Sequence, residues 1–206
     1  ENYPLKLMSF NIRYSNPRDG FNAWNHRKKM VQSMILFHQA DLIGVQEALN
    51  EQMNDLSILL PNHGSVGVGR NDGATKGEYC GIFYNFNRLK VLQRNTIWLS
   101  ETPAEPSSGW DASLNRIVTW AKFQDIYTGQ NFFHFNTHFD HRGKIARQKS
   151  AELILSTITK LNTEKKPVLV TGDFNARPDS IPYQILTRNE KLEPVKDARL
   201  FSIQSP

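Results

Sequence analysis

The stretch that decides the fold is Val168–Asn175, which has the sequence VLVTGDFN. Its β-branched start predicts a short buried strand that runs straight into a glycine and an aspartate. In an extended chain Asp173 and Asn175 share one face, while Phe174 turns toward the core. A carboxylate there can orient or deprotonate a water, and a neighbouring amide can donate to a phosphoryl oxygen. An Asx turn that only ends the strand would use the same residues, so the segment gains its weight from the rest of the chain.

Three other predicted strands end in a polar residue of a similar kind. Apolar runs lead directly into Asn11, Glu47 and His138. Side chains at the strand ends of α/β folds can converge on one crevice, so four such residues predict a single site. Glu47 is the candidate metal ligand, because Mg²⁺ prefers one or two carboxylates together with waters and phosphate oxygens. The alternative for Glu47 is a surface carboxylate that begins a loop or faces a helix N-terminus.

The order of the predicted elements indicates an α/β fold with two packed sheets flanked by helices. Helical spacing of apolar residues predicts three helices, at His26–His38, Glu51–Leu60 and Lys144–Asn162. The predicted strands are Leu5–Ile12, Leu42–Gln46, Ser65–Arg70, Gly81–Asn85, Val91–Leu99, Ile117–Asp125, Asn131–Thr137 and Val168–Val170. Helices and strands alternate at both ends with a run of strands between them, which favours a sandwich over a doubly wound sheet.

Length and composition describe one soluble globular domain over residues 1–206. The chain is 39% hydrophobic and 22% charged, and no apolar run approaches the ~18 residues that a membrane-spanning helix needs. The single cysteine, Cys80, excludes an intrachain disulfide. A net charge of +5 suits an anionic substrate, although a solvated basic surface explains it equally well. The first residue is Glu1 rather than methionine, which leaves periplasmic, secreted and cytoplasmic locations open.

The segment from residue 136 to residue 141, NTHFDH, allows two chemical interpretations. Zinc hydrolases of the metallo-β-lactamase type carry His-x-His-x-Asp-His, and His138, Asp140 and His141 match the last three ligands of that motif. The first ligand position holds Asn136, a poor zinc ligand, which weakens this interpretation. In the other interpretation His138 is a phosphate-facing donor or general acid, held by a carboxylate such as Glu78. A histidine satisfied by local hydrogen bonds is the third alternative.

The separate segments together resemble the endonuclease/exonuclease/phosphatase superfamily, from Leu5 to about Arg199. The motifs that carry this resemblance, in chain order, are Phe10-Asn11, Gln46-Glu47, Gly77-Glu78, Asn136-Thr137-His138 and Gly172-Asp173-Phe174-Asn175. Three further pieces look like a bacterial branch with poorly defined substrates: Gly67–Arg70, Trp98–Pro103 and Arg116–Trp120. The resemblance implies a four-layer α/β/β/α sandwich of the DNase I-like type with two mixed sheets. It also implies metal-dependent hydrolysis of a phosphate ester, by a phosphodiesterase, nuclease or phosphatase.

The resemblance also implies a role for each matching residue. Glu47 would bind the catalytic divalent metal, Mg²⁺ or Mn²⁺, and Asn11 beside it would be a second metal-site residue that orients water or phosphate. Asp173 would orient or deprotonate the attacking water, and Asn175 would stabilise the charge that develops on phosphorus. The remaining catalytic pair is His138, which would face the scissile phosphate, and Glu78, which would hold it.

Substrate contacts are predicted at Arg116, Asp140, Trp24 and Trp110. Arg116 would reach the phosphate, with a structural salt bridge as its alternative, and the two tryptophans lie in loop-like sequence that suits a pocket wall. The expected partner is a phosphate ester of a nucleic acid, sugar or lipid, and no obligate protein partner is indicated.

One departure from the superfamily pattern concerns its late Ser-Asp-His segment. The last histidine of this chain is His141, and the sequence ends at Pro206. The expectation is therefore a single domain that lacks its last strands, with an exposed sheet edge. This departure favours a further alternative, a catalytically inactive module that binds phosphate or nucleic acid.

Overall fold

Two four-stranded sheets packed face to face form the centre of the molecule in a computed structural model, which describes residues 4–201. The strands are β1 (Leu7–Asn11), β2 (Leu42–Ala48), β3 (His63–Val66), β4 (Tyr79–Asn85), β5 (Leu89–Trp98), β6 (Ile117–Asp125), β7 (Asn131–His138) and β8 (Val168–Asp173). The α-helices are α1 (Trp24–Phe37), α2 (Asn50–Leu59), α3 (Lys144–Leu161) and α4 (Ile181–Arg188). Short 3₁₀ helices occupy Pro17–Asn22 and Ala198–Leu200.

Both sheets are mixed, and each contains one parallel pair of strands. The first sheet has the order β1-β2-β4-β3 and the second has the order β5-β6-β7-β8. β1 pairs in parallel with β2, and β7 pairs in parallel with β8, whereas the other neighbours are antiparallel. The register places Asn11 opposite Gln46 and His138 opposite Asp173. The carboxyl ends of both parallel pairs therefore carry the residues singled out from the sequence.

Apolar side chains bury the outer face of each sheet beneath helices. Val31 and Ile35 of α1 and Leu56 of α2 belong to one buried cluster with the first sheet, and Ile154 and Leu155 of α3 belong to another with the second. The layer order is therefore helices, sheet, sheet, helices, and the expected four-layer sandwich of the DNase I-like type is confirmed. No helix within residues 4–201 combines the length and apolarity needed to cross a membrane.

Asn136 fastens the two sheets together across their interface. Its amide nitrogen donates to the carbonyl oxygens of Val45 and Gly81, both at 2.8 Å, and its Oδ1 accepts from Gln46 Nε2 at 2.7 Å. A Cβ on Gly44 would lie 2.6 Å from Asn136 Oδ1, so glycine is needed where the sheets approach this closely. Leaving one of these buried groups without a partner would cost about 1–3 kcal/mol. Asn136 therefore has a structural role between the sheets.

Most expected elements are present with their ends shifted by one to three residues, and two differences are larger. Ile117–Asp125 is a strand with the expected limits, but the expected strand Ser65–Arg70 was wrong, because β3 ends at Val66. Gly67 leaves the strand with φ 138°, and the residues that follow form a loop in which Gly69 N donates to Ala74 O. α4 was missed: it carries a proline in its first turn, a position that helices tolerate because that N–H has no helical partner.

Candidate active site

The side chain of Asn11 joins the carboxylates of Glu47 and Asp173. Its Nδ2 lies 2.8 Å from Glu47 Oε1 and 3.0 Å from Asp173 Oδ2. Asn11 ends β1 and Glu47 lies near the end of β2, whereas Asp173 ends β8 of the other sheet. One amide therefore draws two carboxylates, far apart in the sequence and on different sheets, to a single point. The structure thus brings together the strand-end residues expected to form one site.

The backbone of Glu47 adopts a conformation that turns its side chain into this crevice. Glu47 has φ 64°, in the left-handed region that non-glycine residues rarely occupy. The pairing of β2 with β4 shifts register between Val45 and Ala48, which identifies a β-bulge around Glu47. The amide of Tyr14 then donates to Glu47 Oε2 at 3.2 Å. Such strain costs of order 1–3 kcal/mol and is found most often at functional sites.

His138 lies beside this crevice and contacts Asn175. The two side chains meet at 3.1 Å between His138 Nε2 and Asn175 Nδ2, and the same amide donates to Phe139 O at 3.0 Å. Because an amide NH₂ is a donor, Nε2 acts as the acceptor, and the ring proton is assigned to Nδ1. Burial lowers the pKa of His138 to about 4, and the positive charge of Arg116 acts in the same direction. His138 is therefore neutral at pH 7.

Glu78 approaches His138, but its main partner is an arginine. Its Oε2 lies 3.9 Å from His138 Nδ1, which has no hydrogen-bond partner among the described residues. Both carboxylate oxygens accept from Arg70, at 2.8 Å and 3.1 Å, in a bidentate pair. A guanidinium matches the geometry of a carboxylate better than one ring nitrogen does. At 3.9 Å the two side chains are not hydrogen-bonded in this structure, so the hold of Glu78 on His138 stays a prediction.

Asp140 is fully buried and its carboxylate is occupied by neighbouring groups. It accepts from the amides of Arg142 and Gly143, from both the amide and the hydroxyl of Ser113, and from Arg116 Nε at 3.2 Å. Burial alone would raise the pKa of Asp140, but the hydrogen bonds donated to it, first of all from Gly143, hold it well below its usual range. Asp140 therefore organises the loops around Arg116, and a substrate contact at Asp140 stays a prediction.

The zinc alternative has no set of ligands in the part of the chain that the structure describes. No group of three or more His, Cys, Asp and Glu side chains within residues 4–201 is placed to hold a metal ion. Asp140 is saturated by the contacts described above, and His141 Nδ1 lies 3.0 Å from Arg116 Nη2. With these partners, Asp140 and His141 are not arranged as ligands of a tetrahedral zinc ion.

The two tryptophans expected at a pocket wall occupy different environments. Trp24 is only 2% exposed, packs in the core under the first sheet and donates from its indole to Asp55 at 2.8 Å. Trp24, the first residue of α1, therefore packs in the core and does not line a pocket wall. Trp110 is half-buried in a loop with φ 54°, and its amide donates to Glu101. A substrate contact at Trp110 stays a prediction.

Sequence reasoning missed Gln52, a fully buried residue of α2 that supports the site. Its Oε1 accepts from the amides of Ser15, at 2.8 Å, and Leu49, at 3.1 Å, while its Nε2 donates to Arg13 O at 2.9 Å. It thereby ties the segment after Asn11 to the segment after Glu47. The available signal was a polar residue beside Met53 on the buried side of an amphipathic helix.

The donor atoms at the crevice suit a hard divalent cation such as Mg²⁺. Mg²⁺ prefers oxygen ligands and takes one or two carboxylates, with waters and phosphate oxygens for the rest. Glu47 is half-buried, and the side chain of Asp173 is 35% exposed, so both carboxylates border solvent. Neither has a lysine or arginine within ion-pair distance among the described residues. Glu47, with Asn11 beside it, is thus a fitting position for the metal.

Fold and site define a class: a DNase I-like sandwich with carboxylate, amide and imidazole groups gathered at the strand ends of both sheets. The chain belongs to the Endonuclease/Exonuclease/phosphatase family, whose sequence model matches residues 8–204. The resemblance derived from the ordered motifs is confirmed, including its link to bacterial members. Relatives in this family are hydrolases that act on phosphate esters.

Two solved structures and one viral protein illustrate these similarities. The endonuclease/exonuclease/phosphatase from Bacteroides vulgatus is 45% identical with a TM-score of 0.86, and the match covers 90% of this chain and 70% of that one. A mannosyl-6-phosphatase from Bacteroides thetaiotaomicron is 38% identical with a TM-score of 0.86, over 88% of this chain and 69% of that one. An uncharacterized protein of Acanthamoeba polyphaga mimivirus is 29% identical, over 90% of this chain and 72% of that one. The matches to other curated relatives cover between 23% and 45% of the length of those proteins.

Proposed function

We propose that this protein hydrolyses a phosphate ester with the help of a divalent metal ion, Mg²⁺ or Mn²⁺, held at Glu47 beside Asn11. The observation that carries the proposal is the bridge from Asn11 to the carboxylates of Glu47 and Asp173. Two carboxylates that share one amide repel each other, and a bound cation relieves that repulsion. The phosphate-ester hydrolases among the relatives support the same reaction class.

Each side chain has a role that follows from its position. Asp173 accepts a hydrogen bond from the attacking water and takes up its proton, because its carboxylate borders solvent beside the crevice. When substrate binds, Asn175 exchanges the hydrogen bond from its amide to His138 for one to a phosphoryl oxygen, where negative charge builds up. His138 serves as a neutral hydrogen-bonding group, since burial keeps its pKa near 4. When bound, Mg²⁺ supplies positive charge that offsets the charge on the phosphate.

Hydrolysis of two model esters tests this proposal. Release of p-nitrophenol is measured from bis-p-nitrophenyl phosphate and from p-nitrophenyl phosphate, with Mg²⁺, with Mn²⁺ and with excess EDTA. The assay uses the 206-residue chain and, where the natural protein continues past Pro206, the longer form. Glu47→Gln and Asp173→Asn are each expected to lower kcat by about 10²–10³-fold, the typical effect of removing one preorganised group. Preference between the two esters separates a diesterase from a monoesterase.

The matched control is Glu51→Gln, which removes an exposed carboxylate from the first turn of α2 and should leave kcat unchanged. An unaltered kcat in Glu47→Gln or Asp173→Asn would remove that residue from the mechanism. Turnover that resists EDTA would contradict the metal dependence. Phosphate binding without turnover of either ester would favour the inactive binding module instead.

A further inference from the structure

A second depression adjoins the candidate active site at Asn175. It encloses about 450 Å³ between the start of α3, the loop that follows β8 and the start of α4. Asn175, whose amide contacts His138, forms one of its walls. Three cationic side chains line the same depression: Lys144, Arg147 and Arg177. The concave surface therefore combines positive charge with direct access to the site where the phosphate ester is expected to react.

These three cations lack carboxylate partners in the part of the chain that the structure describes. None of them has an Asp or Glu oxygen within 4.0 Å among residues 4–201. Arg147 donates to a backbone oxygen, that of Asp140. The buried arginines elsewhere, such as Arg70 and Arg116, are paired with acidic side chains. Asp179 also lines the depression but lies within 4.0 Å of none of the three cationic groups, so three cations stand beside one carboxylate, and the excess positive charge concentrates anions there.

A larger cavity on the other side of Asn175 does not share this property. It encloses about 600 Å³ and is lined in part by Asp173, Asp197 and Arg199. Arg199 pairs with Asp197 at 2.8 Å, so much of the positive charge there is neutralised within the chain. Lys196 also lines this cavity, so its two cations are matched by two carboxylates, whereas cations outnumber carboxylates on the side of α3.

The backbone amides at the N-terminus of α3 are not free to bind an anion in place of these side chains. The amides of Ile145 and Ala146 already donate to the carboxylate of Asp111. Arg177 follows Asn175 by two residues, so their α-carbons are at most about 7 Å apart. An anion held by Arg177 would therefore be the neighbouring group on a substrate whose scissile phosphate faces Asn175.

We propose that Lys144, Arg147 and Arg177 bind a second phosphate of the substrate, adjacent to the phosphate that is cleaved. This inference rests on the proposed function for the position of the scissile phosphate, and it deepens that function by naming a substrate class. The substrate carries at least two phosphates, either along a phosphodiester chain or as a bisphosphorylated sugar. The shared chemistry is a phosphate bound by guanidinium and ammonium groups.

Binding without turnover tests the inference. The dissociation constant of a fluorescein-labelled tetrathymidylate is measured by fluorescence anisotropy in EDTA, with the 206-residue chain. The double variant Lys144→Ala/Arg177→Ala should bind at least about 10-fold more weakly, with a salt dependence reduced by about 1.4 in the logarithmic slope, because each phosphate contact on a single strand contributes about 0.7. Fructose 1,6-bisphosphate is used as a competitor to identify a sugar bisphosphate as the source of the second phosphate.

The matched control is Lys90→Ala/Arg94→Ala, which removes two exposed cations from β5, a strand at the other edge of the second sheet. The control should change the dissociation constant by less than about twofold. Equal weakening in both double variants, or no weakening in Lys144→Ala/Arg177→Ala for either ligand, would overturn the second-phosphate site. Because no turnover is needed, a protein that fails to hydrolyse any ester would defeat the proposed function and still give a decisive answer on this site.

Discussion

Two pairs of carboxylates near the same sheet ends have opposite surroundings. Glu78 and Asp140 are paired with the guanidinium groups of Arg70 and Arg116. Glu47 and Asp173 are held mainly by amides, from Asn11 to both of them and from Tyr14 to Glu47. The first pair has its counterions within the chain, whereas the second pair leaves negative charge available to a bound cation. The partners therefore decide which carboxylates are structural and which are free for chemistry.

The largest expected effect on stability concerns the structural pair. Asp140→Asn removes the charge that neutralises buried Arg116, and breaking a buried ion pair typically costs about 3–5 kcal/mol. We expect the free energy of unfolding, measured by urea denaturation at pH 7, to fall by about that amount. Asp179→Asn, at an exposed carboxylate, is the matched control and should have little effect.

The same variant has a defined pH dependence. The pKa of Asp140 in the folded protein lies below its ordinary value of 3.8, so the stabilisation is fully present above about pH 5. It is lost as the pH falls further, because the unfolded chain then binds a proton that the folded chain does not. Asp140→Asn should therefore flatten the decline of stability between pH 5 and pH 2, and an unchanged decline would contradict the structural assignment.

Much of the fold and of the crevice was predictable, because it depends on local patterns. Apolar runs that stop at Asn11 and Glu47 marked the strand ends. The expectation that Asp173 and Asn175 share one face of an extended strand was wrong, because β8 ends at Asp173, Asn175 has φ 45°, and the amide of Asn175 donates to Asp173 Oδ1 at 3.1 Å, as in an Asx turn. The DNase I-like sandwich followed from the order of these motifs. No such pattern specifies the bulge that turns Glu47 into the site, because the bulge depends on pairing between β2 and β4.

The unpredicted features depend on contacts between distant segments. Trp24 was expected in a pocket wall, but the packing of α1 against the first sheet buries it. Glu78 was expected to hold His138, yet Arg70 takes both of its oxygens. Gln52 was not singled out, since a buried glutamine is recognised only when its partners are known. In each case the deciding neighbour lies on another element of secondary structure.

A smaller effect is expected from a substitution of Gln52, which supports the segments beside Asn11 and Glu47. Gln52→Leu leaves the amides of Ser15 and Leu49 without their side-chain acceptor and loosens the segments next to Asn11 and Glu47. Loss of such outer support typically weakens metal affinity by about 10-fold to 100-fold, and we expect the lower end for Mg²⁺, measured by isothermal titration calorimetry.

The control for this prediction is Gln32→Leu, which removes a hydrogen bond between two helices, from Gln32 of α1 to Leu59 O at the end of α2, at 2.6 Å. That contact lies at the opposite end of α2 from Gln52, so Mg²⁺ affinity should be unchanged. Equal loss of Mg²⁺ affinity in both variants would indicate a general loss of stability rather than a supporting role for Gln52.

Direct Mg²⁺ binding to Glu47→Gln and Glu78→Gln tests the central comparison between the two carboxylate pairs. Isothermal titration calorimetry of the wild-type chain and both variants gives the three dissociation constants under one set of conditions. Glu47→Gln should weaken Mg²⁺ binding by at least about 10-fold, because one of the one or two carboxylates that Mg²⁺ needs is lost. Glu78→Gln should change it by less than about twofold, since Arg70 already occupies that carboxylate. Unchanged binding in Glu47→Gln, or a larger loss in Glu78→Gln, would contradict this account.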